Sequence, residues 1–260
     1  MIQHPDTMLD CALAPSPNFG PRRDGKKADM LILHYTGMPT ADGALEWLCS
    51  EESQVSCHYF IFEDGRICQL VAEADRAWHA GVSCWAGETD INSCSIGIEI
   101  AYPGPPDGGD FSQAPEFPAA QMKAAATLCA DIAARNGIAA HRVLAHSDVA
   151  PQRKIDPGDR FDWAVLWRDH IGLWIEDRPE PGDILFAAGS AGEDVRSVQR
   201  ALGLFGYDLP ESGIFDDATT QVVTALQRHY RQERVDGCVD RATLYVLEAL
   251  LQRVRGIVAV

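Results

Sequence analysis

Ahead of Ile175, short apolar runs with the β period alternate with longer segments whose apolar residues recur at helix spacing. No other feature limits the fold as much. In order the segments read MLILHYT, ADGALEWLCSEE, CHYFIFEDGRICQLVAE, SIGIEIAY, PAAQMKAAATLCADIAARNG, RVLAHSD and FDWAVLWRDHIGL. A strand that is apolar along its length has to be covered on both faces, so strands separated by helices build one sheet with helices laid against it. The expected fold is therefore α/β, a mixed central β-sheet flanked by helices. EDGR, Glu63 to Arg66, joins two β-type runs and predicts a hairpin turn. The helical pattern from Pro118 predicts a helix ending at Gly137, a residue suited to the left-handed position after the last turn.

The pattern changes at IEDRPEPGDIL, Ile175 to Leu185, where acids, two prolines and a glycine follow an aromatic-rich stretch. Such a composition marks a linker. The expected division is a domain over residues 1–175, a linker over 176–185 and a second domain over 186–260. In the second part Val195, Val198 and Leu202 share one helical face, as do Val222, Val223 and Leu226, and Leu244, Leu247 and Leu251. Three short helices of this kind make a small bundle.

With 260 residues, 46% of them hydrophobic, the chain can bury a sizeable core. Its formal charge of -16 excludes nucleic acid as the expected partner, because phosphate binding needs clustered Lys and Arg. The N-terminal stretch lacks a basic region followed by an apolar one, and no later run reaches the length of a membrane span. The eight cysteines have no CxxC spacing, and most read as buried thiols. Thiols kept reduced favour the cytoplasm. The oligomeric state is not legible.

The loop VLAHSDVAPQRKIDPG, Val143 to Gly158, crowds a histidine, two aspartates and an Arg-Lys pair between apolar segments. His34 ends the run MLILH, and His146 ends VLAH. In open α/β sheets ligands gather beyond the carboxyl ends of strands, so these two imidazoles could meet although they are far apart in sequence. Asp156 could add a third donor, leaving a tetrahedral zinc one open position. On spacing alone the bland alternative stays open: hydrogen-bonded histidines at strand ends and a solvated loop.

The words LILHYTGM, VSCHYFIFEDG, DRAWHAGVS, SIGIEIAY and AHSDVAPQRKIDPGDRFDW, in this order, resemble the zinc-dependent N-acetylmuramoyl-L-alanine amidases, related in fold to the peptidoglycan recognition proteins. The likeness runs from Ala28 to Trp174. It implies that His34, His146 and Asp156 hold Zn2+, that Glu99 in GIEI activates water, and that Lys154 in RKID helps stabilise the oxyanion. Such roles match what amide hydrolysis needs: a nucleophile at neutral pH, a stabilised oxyanion and a protonated leaving amine. The resemblance further implies that Trp78 and His79 sit on the rim of the cleft as substrate contacts, although the residues alone fit a core aromatic and its hydrogen-bonded neighbour equally well. His58 could touch the site or be buried in a strand, and Tyr35, Asn92 and Arg153 are further candidate substrate contacts. Two departures stand out. Asp159 follows Pro157 and Gly158 where many relatives have a second proline, and Cys57 stands where relatives commonly carry a small residue or a tyrosine.

Residues Gly189 to Leu250 resemble the three-helix peptidoglycan-binding domain found beside many cell-wall hydrolases. The likeness rests on GEDVRSVQRAL, GIFDDATTQVV and the near repeat DGCVDRATLYVL. Part of this pattern is structural, since Asp and Thr suit helix N-caps. Together the two resemblances imply a zinc hydrolase that uses an activated water to cut the amide between N-acetylmuramic acid and L-alanine. Its partners would be peptidoglycan or muropeptide fragments. The competing readings are a zinc peptidase acting on stem peptides and a non-catalytic peptidoglycan-binding protein, although the latter would be expected to have lost a ligand. A wall-binding domain also points toward the periplasm or cell envelope, against the cytoplasmic reading of the thiols.

Overall fold

The computed structural model describes residues 2–106 and 110–258, so residue 1 and residues 259–260, the ends of the two expected domains, lie outside the described residues. In chain order the strands are β1 (Cys11–Leu13), β2 (Phe19–Pro21), β3 (Met30–Tyr35), β4 (Tyr59–Ile61), β5 (Ile67–Gln69), β6 (Asp75–Ala77), β7 (Ser95–Ile100), β8 (Val143–Ala145), β9 (Ile184–Phe186) and β10 (Val239–Asp240). The helices are α1 (Ala41–Leu48), α2 (Ile91–Cys94), α3 (Ala119–Asn136), α4 (His146–Val149), α5 (Trp163–Arg168), α6 (Glu193–Phe205), α7 (Asp217–Tyr230) and α8 (Arg241–Val258). They form two compact units that interleave along the chain. One takes the chain up to Val82, then Asp90–His146 and Asp156–Gly172; the other takes Ser83–Thr89, Ser147–Ile155 and the chain from Leu173.

In the first unit six strands form a sheet in the order β1-β5-β4-β7-β3-β8. Only β4 and β5 run antiparallel, joined by the expected turn at Glu63–Arg66, where Gly65 takes the positive φ (+86°) that the turn requires. The three strands β7, β3 and β8 are parallel, and β3 is buried except at Tyr35. Helices cover both faces. On the face of Phe60, α1 contributes Ala44 and Leu48 to a core cluster with Cys68 and Leu70. On the face of Tyr59, the buried Gln121 of α3 donates to the Ile61 and Ala101 carbonyls, and Arg135 in its last turn holds Glu73, which accepts from the Tyr59 hydroxyl. Helix α3 ends at Gly137 with φ of +67°, as its sequence predicts.

The second unit is built from α6, α7 and α8 with the short pair β9–β10. The last two residues of the expected linker, Ile184 and Leu185, lie in β9. The near repeat in the sequence is a repeated turn. Gln199 of α6 accepts from the Gly213 amide, and Gln227 of α7 accepts from the Gly237 amide. Asp216 and Asp240 then cap the amides of Thr219 and Thr243 at the start of the next helix. The stripe of the last helix differs from expectation: Ala242, Val246, Leu247 and Leu250 are buried, while Leu244 and Leu251 are half-buried. Leucines in α8 occur at several positions, so their spacing alone does not pick the buried row, which is Ala242, Val246 and Leu250 with Leu247 beside it.

No helix among the described residues is long and apolar enough to cross a membrane. Among the described residues no disulfide forms, and Cys57, Cys68, Cys94 and Cys129 are buried. Half the cysteines, fewer than expected, are thus fully inside.

Candidate metal centre

Parallel strands deliver side chains of like register to one edge of a sheet. His34 is registered against Glu99 on β7, and Glu99 against Phe60 on β4, so these side chains share a face. His146 lies one residue beyond the registered pair Leu33–Ala145 and opens α4. Asp156 returns to the same place after the intervening loop. His34, His146 and Asp156 are all buried, and each offers one ligating atom within 4.8 Å of the others.

Three Lewis-basic atoms meet there: His34 Nδ1 lies 2.8 Å from His146 Nδ1 and 3.1 Å from Asp156 Oδ2, and His146 Nδ1 lies 2.9 Å from the same oxygen. Burial would raise the Asp156 carboxyl, but the imidazoles of His146 and His34 hold it well below the usual carboxylate range. Two imidazole nitrogens and a carboxylate oxygen, converging in a buried place, fit a metal ion by donor type, number and spacing.

Behind the ligands the far ring nitrogens are engaged. His34 Nε2 is 3.0 Å from His79 Nδ1, and His146 Nε2 is 3.1 Å from the Ala80 carbonyl. Asn92 Oδ1 accepts the amides of both His79 and Ala80, at 3.0 and 2.8 Å. The His79 ring lies against Gly97, where a Cβ would come within 2.4 Å of it. Only glycine fits there.

Of the candidate substrate contacts, His58, His79 and Asn92 are buried. Burial, with the neighbouring imidazoles of His34 and His58, pushes His79 well below its ordinary pKa. His58 is fully buried, accepts from the Gly97 amide, and faces Arg22 and the Asp75 carbonyl. Burial, reinforced by Arg22, pushes its pKa down to about 3. Asn92 is buried beneath the His79–Ala80 backbone. Trp78 and Tyr35 are half-buried, the Tyr35 ring standing edge-on to Tyr102 and Phe111. Arg153 is exposed and Lys154 half-buried, both in the second unit.

Asp159 follows a glycine that the turn requires. Gly158 has φ of +85°, and a Cβ there would come within 2.3 Å of the Phe111 ring. Sequence reasoning missed Ser95 and Arg22, which hold this region from behind. One signal was present: a lone glycine inside the apolar run SIGIEI marks a close approach, here by His79.

A buried His-His-Asp cluster at the carboxyl edge of a mostly parallel sheet is the arrangement of a metallohydrolase, and comparison with known proteins makes the class specific. Residues 24–159 match the N-acetylmuramoyl-L-alanine amidase family, and residues 191–247 match a peptidoglycan binding domain. The chain is 35% identical over 231 residues to the N-acetylmuramoyl-L-alanine amidase AmiD of Escherichia coli, covering 86% of this chain and 82% of that protein. The structure of E. coli AmiD in complex with anhydro-N-acetylmuramic acid-L-Ala-D-gamma-Glu-L-Lys superposes with a TM-score of 0.74 at 34% identity, over 90% of each chain. AmpDh3 of Pseudomonas aeruginosa in complex with anhydromuramic pentapeptide gives a TM-score of 0.74 at 29% identity, over 97% of this chain and 99% of that one. The chain belongs to the N-acetylmuramoyl-L-alanine amidase family and carries a C-terminal peptidoglycan binding domain.

Proposed function

We propose that this chain hydrolyses the amide between N-acetylmuramic acid and L-alanine in muropeptides, including 1,6-anhydro forms, with zinc held by His34, His146 and Asp156. The observation that carries the proposal is the convergence of those three buried ligating atoms beside Glu99, in a chain of this family. The anhydromuramyl peptides in the two similar structures support the substrate class.

Bound there, zinc would act as a Lewis acid, lowering the pKa of a water and polarising the amide carbonyl. The chain supplies the rest. Glu99, on the His34 face of the sheet, takes the proton of the attacking water and returns it to the leaving amine. Lys154, two residues before Asp156 in the chain, is assigned to the developing oxyanion. Trp78, Tyr35 and Arg153 keep enough exposure to meet substrate, whereas His58, His79 and Asn92 do not.

In functional terms we divide the chain into a catalytic domain over 1–175, a linker over 176–185 and a wall-binding domain over 186–260. The reduced thiols support the cytoplasm as compartment. Mass spectrometry of products from an anhydromuropeptide tests the reaction: released intact stem peptide is the expected result, and cleavage within the stem would overturn it in favour of a peptidase.

A further inference from the structure

The hydrogens behind the two histidine ligands can be placed by following the donors inward from one backbone carbonyl. The Ser95 hydroxyl donates to the Ile91 carbonyl at 2.6 Å, which uses its only hydrogen. Toward His79 Nε2, 3.1 Å away, Ser95 Oγ can then only accept, so a neutral His79 carries its hydrogen on Nε2. His79 Nδ1 is therefore an acceptor, and His34 must donate to it from Nε2 at 3.0 Å. That leaves the Nδ1 lone pair of His34 pointing at Asp156 and His146.

The second ligand is set from the adjacent residue. The Ala80 carbonyl can only accept, so His146 donates to it from Nε2, which turns the Nδ1 lone pair of His146 to the same point. The backbone of His79 and Ala80 is in turn pinned by one atom, Asn92 Oδ1. The absence of a side chain at Gly97 leaves the space that the His79 ring occupies beside His34.

We propose that the His79–Ala80 pair, anchored by Asn92 and seated on Gly97, fixes the tautomers of both histidine ligands and so presents Nδ1 of each to the metal. His79, Asn92 and Ser95 are positioning residues, not substrate contacts. The proposal rests on the metal site proposed above, and it differs from a purely structural role because it specifies which ring nitrogen is protonated before any metal binds. Partners of this kind are worth about 10–100-fold in metal affinity.

Two measurements test it. In metal-free protein labelled with 15N-histidine, long-range nitrogen–proton spectra should show the hydrogen on Nε2 in both His34 and His146; a hydrogen on Nδ1 of either would overturn the relay. In chelator competition, His79→Phe should weaken zinc binding about 10–100-fold. Asn92→Ala should weaken it in the same direction, and Asn92→Asp, which keeps an acceptor for the two amides, should restore it. Unchanged affinity in folded Asn92→Ala would count against the pinning role even if His79→Phe failed to fold. A wild-type protein that binds no zinc would refute the metal site itself, and the metal-free spectra would still decide the tautomers.

Discussion

His34, His146 and Asp156 in the first unit, and Asp148, His229 and Tyr207 in the second, are both buried clusters of imidazole and carboxylate, and they differ in where their protons go. In the second, the Tyr207 hydroxyl donates to one oxygen of Asp148 at 2.6 Å, and His229 Nδ1 lies 2.6 Å from the other. Each carboxylate oxygen thus faces a donor. In the first, the ring nitrogens that can donate are directed outward to His79 and Ala80, and three acceptors meet. A carboxylate bracketed by donors is satisfied by the protein alone; a convergence of acceptors calls for a cation. Residue type and burial do not separate the two clusters, but the count of donors does.

The largest effects should come from breaking the acceptor cluster. His34→Ala, His146→Ala and Asp156→Ala should each lose stoichiometric metal in elemental analysis, with little change in the urea stability of the metal-free protein. Any of these variants that keeps its metal removes that residue from the ligand set. Asp148→Ala should behave in the opposite way. By stranding two buried donors it should cost roughly 3–5 kcal/mol in urea unfolding, with or without metal. A loss seen only in the metal-loaded protein would erase the distinction between the clusters.

Smaller still, Glu99→Ala and Lys154→Ala should keep metal and lose on the order of a hundredfold in kcat, since their roles lie in the transition state. Metal loss in either would mean its role had been misassigned. The most gradual effect is acid sensitivity from His58, whose folded pKa of about 3 lies below its ordinary value of 6.5. Between those values the unfolded chain binds the extra proton, so stability should be full above about pH 6.5 and fall as pH drops toward 3. The slope from this one group is at most about 1.4 kcal/mol per pH unit. Urea unfolding of His58→Gln should show a shallower decline over that window; an identical slope would shift the cause to other groups.

Much of the catalytic unit is legible because it is periodic. The apolar runs of β3, β7 and β8 announce a buried parallel sheet, and histidines at two of their ends announce where a site can lie. The strands β1, β2, β6, β9 and β10, of two or three residues, were missed because they lie outside the long apolar runs that carry the equally short β4, β5 and β8. His79 could be recognised as part of the site but not placed: WHAG says nothing of whether the imidazole faces solvent or the sheet, and only Gly97, eighteen positions further along the chain and not locally linked to it, settles it. The Asp148 network was illegible for a related reason. Its members come from α4, α7 and the segment after α6, and nothing local pairs them.

The central claim is that the acceptor cluster is completed by a metal on which the hydrolysis depends, and metal removal tests it most directly. The protein, stripped by chelator and shown by circular dichroism to remain folded, should release no stem peptide from anhydromuropeptide. Stoichiometric zinc should bring the activity back. Undiminished cleavage by protein proven metal-free would contradict the account.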